Sequence, residues 1–305
     1  MAFLLDSSHR RQITSTNVGN KSSRRGRRLL GMKLKSKSKS SGKEVTLISR
    51  TVPILNFSVT VWEWKNSAEV VNAYWEAQGQ VMTSFGTTQQ KPLLDPFGLV
   101  SWPGSVLAAR ELCKHAEIAV KNKNVVVLGA GVGVETQTAA MLGAKRVVAT
   151  DIHPTTLQQL EYGISRNDRI DDNVVVQTEI LDLFATEREQ PIPPCDLLIV
   201  ADVLYSEILA SQVCRRCAEA LEKNPNIRIL ITDSQRFVPD FIDELNEALK
   251  RVQVSSHANN ENKDDAGMAL AAWKVQTMQK FKGSGVIIDE DQTYDVTVQS
   301  LWIGL

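Results

Sequence analysis

The amino-acid sequence predicts an α/β fold in which a Rossmann-like, seven-stranded and mostly parallel β-sheet carries helices on both faces. From residue 124 onward, short apolar runs of strand length alternate with longer segments of helical apolar spacing, the order expected of βαβ units. The run Asn124–Leu128 is continuously apolar, as in a strand that is covered on both faces. The last two apolar segments, 273–281 and 294–305, have no helical segment between them, which predicts a C-terminal antiparallel hairpin.

The same patterns assign the predicted elements in chain order. The segment 44–64 is rich in Val, Thr, Ile and Trp and nearly alternates through 55–62, which predicts a strand or a hairpin, and 67–78 is a candidate short helix. The segment 105–120 has helical spacing and follows Pro103, a residue favoured at helix starts. The further predicted strands are 124–128, 146–150, 173–177, 195–201, 226–232, 273–281 and 294–305, and the further predicted helices are 133–142, 154–166, 207–223 and 238–251.

Composition and charge bound the class of protein. Of the 305 residues, 43% are hydrophobic, enough for a globular core, which excludes wholesale disorder. No apolar run approaches the roughly 18–20 residues that a membrane-spanning helix needs. The formal net charge is zero, but residues 1–43 hold 12 Lys and Arg against one acid, Asp6, so the remaining residues hold 23 bases and 34 acids. A strongly basic leader therefore precedes an acidic body.

The basic leader, residues 1–43, is open to three interpretations. It has 11 Ser and Thr and few apolar side chains, so a disordered, solvated tail is one of them. A basic, Ser-rich and acid-poor start is also typical of an organelle transit peptide. Clusters such as Arg-Arg-Gly-Arg-Arg at 24–28 are typical of a nuclear signal or an anion-binding arm. A secretory signal is not predicted, because Ala2–Leu5 is too short for its apolar region.

After this leader, residues 44–100 form a predicted N-terminal extension of strand and helix. Residues 101–305 form the predicted α/β domain, in which the polar segment 253–267 is a loop insertion.

The cysteines favour a reducing, intracellular compartment over a disulfide scaffold, since there are four of them in 305 residues. Cys214 and Cys217 have CxxC spacing, but they fall inside a predicted helix, and no second Cys or His pair lies at ligand spacing. Two cysteines on one helix face are therefore favoured over a zinc or redox site, and no metal site is predicted.

A glycine-rich loop follows the first parallel strand. The sequence Leu-Gly-Ala-Gly-Val-Gly over 128–133 lets the backbone turn tightly and approach a ligand closely. A dinucleotide-binding loop has the pattern GxGxxG, and its third glycine would fall at Val134. The pattern GxGxG instead favours S-adenosylmethionine, which has no pyrophosphate to seat on the helix. The predicted contacts of this loop are Gly129, Ala130, Gly131 and Gly133.

Acidic residues at the next two strand ends complete a nucleoside site. Asp151 ends the second strand, 22 residues after Gly129, where a carboxylate accepts both ribose hydroxyls; its alternative is an N-cap for the helix near Pro154. The complete order of strand, glycine loop, helix, strand and acid favours the ribose. After the third strand, Glu179 is positioned to accept from the adenine N6 and Ile180 to cover the ring. The alternative for Glu179 is a solvated acid in a loop.

Three local motifs together resemble class I, seven-strand methyltransferases, and within them the family-16 protein lysine methyltransferases. They are Trp-Pro-Gly at 102–104, the glycine loop with Asp151, and Ala-Asp-Val-Leu-Tyr at 201–205, which is similar to the family's D-x-x-Y signature. The resemblance covers roughly residues 95–305. The Trp-Pro-Gly form and Ile-Thr-Asp-Ser-Gln-Arg at 231–236 look most like the branch that methylates the electron-transfer-flavoprotein β subunit. That branch is mitochondrial, which fits the leader.

The resemblance implies roles for several side chains. Asp202 would orient the incoming lysine ammonium, and Tyr205 would wall the lysine channel or donate a hydrogen bond to Asp202. Trp102 would pack on the methionine end of the cofactor. The alternatives are a helix N-cap for Asp202 and core packing for the two aromatic residues. Ile152 and Ala201 complete the predicted cofactor-binding set, and Ser234 and Arg236 are candidates for the substrate cleft.

One position departs from the family pattern. The family usually carries an acid two positions before the first glycine, where it helps to hold the cofactor's amino group. Val127 stands there in this chain. The departure implies a lower cofactor affinity, a substitute carboxylate elsewhere, or a degenerate enzyme.

Three classes of function remain open from the sequence. The leading one is an S-adenosylmethionine-dependent transferase that methylates lysine side chains of a protein substrate. The second is a methyltransferase of small molecules or nucleic acids, and the third is a binding module that kept the fold without catalysis. The acidic body disfavours a nucleic-acid substrate. We expect no membrane association, a monomer, and a mitochondrial location with the cytoplasm or nucleus as alternatives.

Overall fold

The computed structural model describes residues 47–65, 69, 73–74, 96–234, 241–248, 250–251, 274–283 and 294–305. The leader 1–43, the insertion 253–267, Arg236 and most of the predicted helix 67–78 lie outside the described residues. No helix among the described residues is long and apolar enough to span a membrane.

Strands and helices alternate along the described part of the chain. The strands are β1 Leu47–Pro53, β2 Ser58–Trp64, β3 Asn124–Leu128, β4 Arg146–Asp151, β5 Val175–Ile180, β6 Leu197–Ala201, β7 Arg228–Asp233, β8 Lys274–Gly283 and β9 Tyr294–Ile303. The helices are α1 Pro103–Lys114, α2 Val134–Met141, α3 Pro154–Ile164 and α4 Glu207–Lys223, and residues 241–248 form α5. A 3₁₀ turn spans Phe97–Leu99, and a π-helical turn spans Ala116–Val120.

The main sheet has the strand order β5-β4-β3-β6-β7-β9-β8 among the described residues. Strands β3 to β7 pair in parallel, β9 pairs antiparallel with β7, and β8 pairs antiparallel with β9. The predicted α/β fold, with its mostly parallel sheet and C-terminal antiparallel hairpin, is confirmed.

The core has one layer on each face of this sheet, because successive strand residues point to opposite faces. On one face Val126, Leu198 and Ile229 pack against α4 and α5. On the other face Val127 and Ile199 pack against α1, α2 and α3. Both faces of the parallel strands are therefore buried, which explains their continuous apolar runs.

The N-terminal segment forms the predicted hairpin, with β1 and β2 antiparallel. Its apolar residues Val59 and Val61 share a buried cluster with Val106 of α1 and Val134 of α2. The buried carboxylate of Glu63 accepts from the Ser101 amide at 2.9 Å and from its hydroxyl at 2.7 Å. The hairpin is thus fixed to the helix layer beside the segment that opens α1.

Some predicted boundaries are wrong, for local reasons. The strand predicted at 173–177 lies at Val175–Ile180, because its apolar run ends at Val176 while this largely exposed edge strand continues through the polar residues 177–179. The helix predicted at 105–120 begins earlier, at Pro103, and ends at Lys114 before the π-helical turn. The CxxC prediction is confirmed, since Cys214 and Cys217 are buried on α4. Burial raises the pKa of the Cys217 thiol to about 12, so it is not a reactive thiolate.

A pair of glycine variants tests the packing of α2 against α3. Gly133 and Gly143 both have positive φ, +82° and +81°, so alanine costs about 1–2 kcal/mol at either. A Cβ at Gly133 would also lie 2.0 Å from Cδ1 of the buried Leu160, and such overpacking costs a further 1–3 kcal/mol or so. We expect Gly133→Ala to lower the free energy of unfolding in urea clearly more than Gly143→Ala. Equal losses would contradict this packing.

Candidate active site

The predicted site residues meet at the carboxyl ends of β3, β4 and β6. In the sheet order, β3 lies between β4 and β6. From β3 the chain continues to β4, toward one edge of the sheet, and from β6 it continues to β7, toward the opposite edge. Such a reversal opens a crevice outside the strand ends, where open α/β sheets bind their ligands. The glycine loop follows β3, Asp151 ends β4, and Asp202 follows β6.

The glycine loop is held against its neighbours by backbone contacts. Gly129, Gly131 and Gly133 all have positive φ, and the Ala130 amide donates to the Thr150 carbonyl at 2.8 Å. A Cβ at Gly129 would lie 2.7 Å from Cγ2 of Val203, so only glycine fits where the loop meets the segment after β6. The predicted cofactor loop and the predicted D-x-x-Y segment are therefore in direct contact.

Asp151 ties this loop to β4. Its Oδ2 accepts from the Gly131 amide at 3.0 Å and its Oδ1 from the His153 amide at 2.8 Å. The alternative role as N-cap of α3 is wrong, because His153 is the N-cap and its Nδ1 accepts from the Thr155 amide. A carboxylate has about four lone-pair sites, so accepting from these two amides is compatible with the predicted role toward ribose hydroxyls, which stays a prediction. Ile152 beside it is half-buried.

A backbone turn that sequence analysis missed covers this part of the site. A Cβ at Gly98 would lie 3.2 Å from Oδ2 of Asp151, and one at Gly131 would lie 3.4 Å from the Gly98 carbonyl oxygen. The 3₁₀ turn Phe97–Leu99 therefore lies directly over the glycine loop. In the sequence, this turn is the triplet Phe-Gly-Leu at 97–99, shortly before Trp102. A triplet has no helical or strand periodicity, so no pattern predicted the turn.

The predicted adenine residues lie at the same edge but on an exposed strand. In the β4–β5 register, Ile180 is the partner of Asp151, and it is 50% exposed. Glu179 lies within β5, not in a loop, and its Oε1 is 3.8 Å from Nη2 of Arg146. Arg146 therefore competes for the carboxylate that was assigned to the adenine, and the contacts of Glu179 and Ile180 with the ring stay predictions.

Asp202 is the most constrained side chain of the site. It is 6% exposed and has a left-handed φ of +55°. Its Oδ2 accepts from the Gly104 amide, and its Oδ1 accepts from the Ser234 amide at 3.0 Å and from the Ser234 hydroxyl at 2.7 Å. The N-cap of the following helix is Ser206. Asp202 thus serves the first turn of α1, 98 residues earlier in the chain.

This contact explains two of the resembling motifs physically. A Cβ at Gly104 would lie 2.6 Å from Cγ of Asp202, so glycine is required where the carboxylate meets the helix. Pro103 opens the helix without an amide that would need a partner. A carboxylate at a helix N-terminus is also favoured by the helix dipole. Asp202 is therefore first a structural acceptor, and its role toward a lysine ammonium stays a prediction.

Aromatic rings line the same region. The Phe97 ring lies edge-on to Tyr205, with centroids 5.2 Å apart, and to Trp102, with centroids 6.2 Å apart. The Trp102 indole N–H donates to the Phe97 carbonyl at 2.7 Å. Phe97, which was not predicted, joins two residues that were. Tyr205 is half-buried and packs on the core beneath it, so its ring belongs to both the core and the site.

A second carboxylate that was not predicted is buried among these elements. Glu135, near the start of α2, is fully buried. Neither oxygen has a hydrogen-bond partner of good geometry among the described residues, although the Glu135 backbone and the Ser105 hydroxyl are close enough to act on it. Burial raises its pKa to about 7, and the nearby Asp202 and Asp151 carboxylates act in the same direction. The helix backbone and the Ser105 hydroxyl act to lower it, but they do not offset the burial. In a sequence, an acid in the first turn of a helix is expected to be solvated and to stabilise the helix dipole. The sequence therefore contains no indication that Glu135 is buried.

Ala201 and Val127 lie in the strands that lead into the site. Ala201 is buried at the end of β6. Val127 is buried in β3 within the layer between the sheet and helices α1 and α2. Among the described ranges, no group of three or more His, Cys, Asp or Glu residues is arranged to hold a metal ion.

Comparison with known proteins finds a matching family and several relatives. A sequence model of the family described as lysine methyltransferase matches residues 87–248, more than half of the chain. Protein-lysine methyltransferase METTL21E of Mus musculus is 35% identical over 116 residues, which cover 37% of this chain and 47% of that protein. The electron transfer flavoprotein beta subunit lysine methyltransferase of Homo sapiens is 27% identical over 190 residues, which cover 61% of this chain and 67% of that protein.

The chain thus spans about half the length of the mouse relative. Among solved structures, the 16S rRNA N2 G1207 methyltransferase RsmC of T. Thermophilus has a TM-score of 0.47 and 14% identity. That alignment covers 88% of this chain and 53% of the RsmC chain.

The hydrogen bonds of Asp202 lead to a stability prediction. We expect Asp202→Ala to lower the free energy of unfolding in urea by about 2–4 kcal/mol, because the buried Gly104 amide and the half-buried Ser234 donors lose their acceptor. Asp171→Ala is the matched control, since Asp171 is exposed and accepts only within its own turn, from Asn173. Its cost should stay within about 0.5 kcal/mol. An Asp202→Ala protein as stable as the wild type would refute the bridging role.

The buried Glu135 predicts an unusual pH dependence of stability. Its folded-state pKa of about 7 exceeds the unfolded value, so the ionised group destabilises the fold increasingly from about pH 4.5 to pH 7. We expect Glu135→Gln to remove a cost of up to about 3 kcal/mol above pH 7 and to have no such effect below pH 4.5. Thermal melting across this range measures it, with the exposed Glu117→Gln as control. A pH-independent difference between Glu135→Gln and wild type would contradict the assignment.

Proposed function

The chain belongs to the lysine methyltransferase family, and on that basis we propose that it transfers a methyl group from S-adenosylmethionine to lysine side chains of a protein. The observation that carries the proposal is the contact between Gly129 and Val203. It joins the loop that suits the methyl donor to the D-x-x-Y segment that suits the acceptor. A donor and an acceptor bound on these two segments would be held next to each other, which is the main requirement of a displacement reaction.

The residues present fit S-adenosylmethionine. The glycine loop has three positions without a Cβ atom, at Gly129, Gly131 and Gly133. Asp151 ends β4 beside that loop, where a carboxylate accepts from ribose hydroxyls. Glu135 is a buried carboxylate beside the same elements. Trp102 and Phe97 offer apolar surface next to them. When bound, this cofactor supplies an electrophilic methyl group on a sulfonium centre.

The acceptor side of the site suits a lysine. A lysine must lose its proton before it can accept a methyl group, and its reference pKa is about 10.4. The aromatic rings of Phe97 and Tyr205 would exclude water from the amine, and desolvation lowers the pKa of an amine. The carboxylate of Asp202 would align the arriving ammonium but would also raise its pKa. We therefore assign Asp202 to docking and alignment, with the proton leaving to water before the amine is desolvated or to a neighbouring group.

The partner is proposed to be a protein that presents a lysine, not a nucleic acid. The residues after the leader carry 34 acids against 23 bases, which disfavours a polyanion and suits a basic protein surface. Both relatives above are named for methylation of protein lysines. We further propose a monomer that acts in mitochondria; the basic, Ser-rich composition of residues 1–43 supports the location.

The direct test is transfer of a labelled methyl group from S-adenosylmethionine to proteins of a cell extract, followed by mass spectrometry of the labelled residues. We expect label on lysine, and we expect Asp151→Asn to raise the KM for S-adenosylmethionine by about 10- to 100-fold, since a hydrogen bond to a charged group is worth about 1.5–3 kcal/mol. Asp171→Asn, a change of an exposed aspartate, should leave the KM unchanged. Label on nucleic acid or small molecules alone would overturn the proposal.

A further inference from the structure

We infer that Glu135 accepts the α-ammonium group of S-adenosylmethionine and thereby supplies the carboxylate that position 127 lacks. This inference rests on the proposed function. Glu135 is the second residue of the helix that follows the glycine loop, and its carboxylate is fully buried. Neither oxygen has a hydrogen bond of good geometry among the described residues, and the Ser105 hydroxyl is a neighbouring donor. A buried carboxylate in that condition costs several kcal/mol of desolvation unless a cation or a donor meets it.

The surroundings of Glu135 place it inside the site. Its carboxylate interacts electrostatically with Asp202, which follows β6, and with Asp151, which ends β4. Its third neighbour is Ser105 of α1, next to the Gly104 amide that Asp202 binds. Glu135 is therefore enclosed by the same elements that hold the glycine loop, and the two charged neighbours are both acids. A cationic ligand group would offset the repulsion among these three carboxylates, whereas an anionic group would add to it.

The chemistry of the cofactor selects one of its two cations. The sulfonium centre carries charge but no hydrogen, so it cannot donate to a carboxylate. The α-ammonium has three N–H donors and matches two acceptor oxygens that lack partners. The other cation of the proposed reaction is the lysine of the substrate. The binding experiments below contain no lysine substrate, so they distinguish the two.

The position of Val127 agrees with this assignment. Val127 is fully buried in β3 and packs in the layer that also contains residues of α1 and α2. Glu135 belongs to α2 and faces Ser105 of α1, so both positions contribute to one layer. A carboxylate carried by α2 can therefore serve the region that a carboxylate at the end of β3 would serve, and a second acid at 127 would add repulsion.

Two ligands distinguish the contribution of the α-ammonium group to binding from that of the rest of the cofactor. S-adenosylhomocysteine keeps the α-ammonium and has no sulfonium charge, whereas 5′-methylthioadenosine lacks the amino-acid end entirely. Calorimetry of wild type and Glu135→Gln with each ligand forms a double cycle. We expect Glu135→Gln to weaken S-adenosylhomocysteine by about 10- to 100-fold and 5′-methylthioadenosine by less than about twofold. Glu117→Gln, which removes an exposed acid on the π-helical turn, should change neither affinity.

The pH dependence of binding is the second readout. The ammonium needs the ionised carboxylate, so the affinity of wild type for S-adenosylhomocysteine should fall by up to about tenfold from pH 7 to pH 6, and this slope should vanish in Glu135→Gln. Asp151 and Asp202 face the same space and are unchanged in that variant. Equal weakening of both ligands, or no weakening of S-adenosylhomocysteine, would overturn the assignment. Failure of wild type to bind either ligand at millimolar concentration would overturn the proposed function itself.

Discussion

The carboxylate of Asp202 is the contact on which the geometry of the site depends. It accepts from the first turn of α1 through Gly104 and from the end of β7 through Ser234, while its own amide donates to Thr232. Three elements that are distant in sequence are thereby fixed to one another at the sheet edge. Because Gly104 follows Trp102 by two residues, the same contact sets the place of the Trp102 indole and, through it, of the turn that covers the glycine loop.

Much of this fold could be predicted because its parallel strands are buried on both faces. Continuous apolar runs marked β3, β6 and β7, and the glycine loop and the acid at the end of β4 followed from the order of the elements. The edge strand β5 was misplaced because its exposed residues interrupt any run. The hairpin β1–β2 was predicted by alternation, and its attachment to α1 depends on Glu63 and Ser101, a pairing of distant residues that no local pattern shows.

The parts of the site that escaped prediction share one physical cause: their roles arise only from tertiary contacts. Phe97 lies in a short turn without periodicity, yet it contacts both predicted aromatic residues. Glu135 looks in sequence like an acid at a solvated helix start, and only the packing of α1 over α2 makes it a buried carboxylate. Asp202 was predicted as a ligand-facing acid, whereas the structure gives it a bridging role that any chemistry at this site must share.

We propose that the carboxyl ends of β3, β4 and β6 form one site for S-adenosylmethionine. Hydrogen–deuterium exchange with saturating S-adenosylhomocysteine tests it most directly, with the β1–β2 hairpin as an internal reference. We expect slower amide exchange in peptides that contain 97–105, 129–135, 151–153 and 201–205, and unchanged exchange in β1 and β2. Protection elsewhere, or none at saturation, would contradict it.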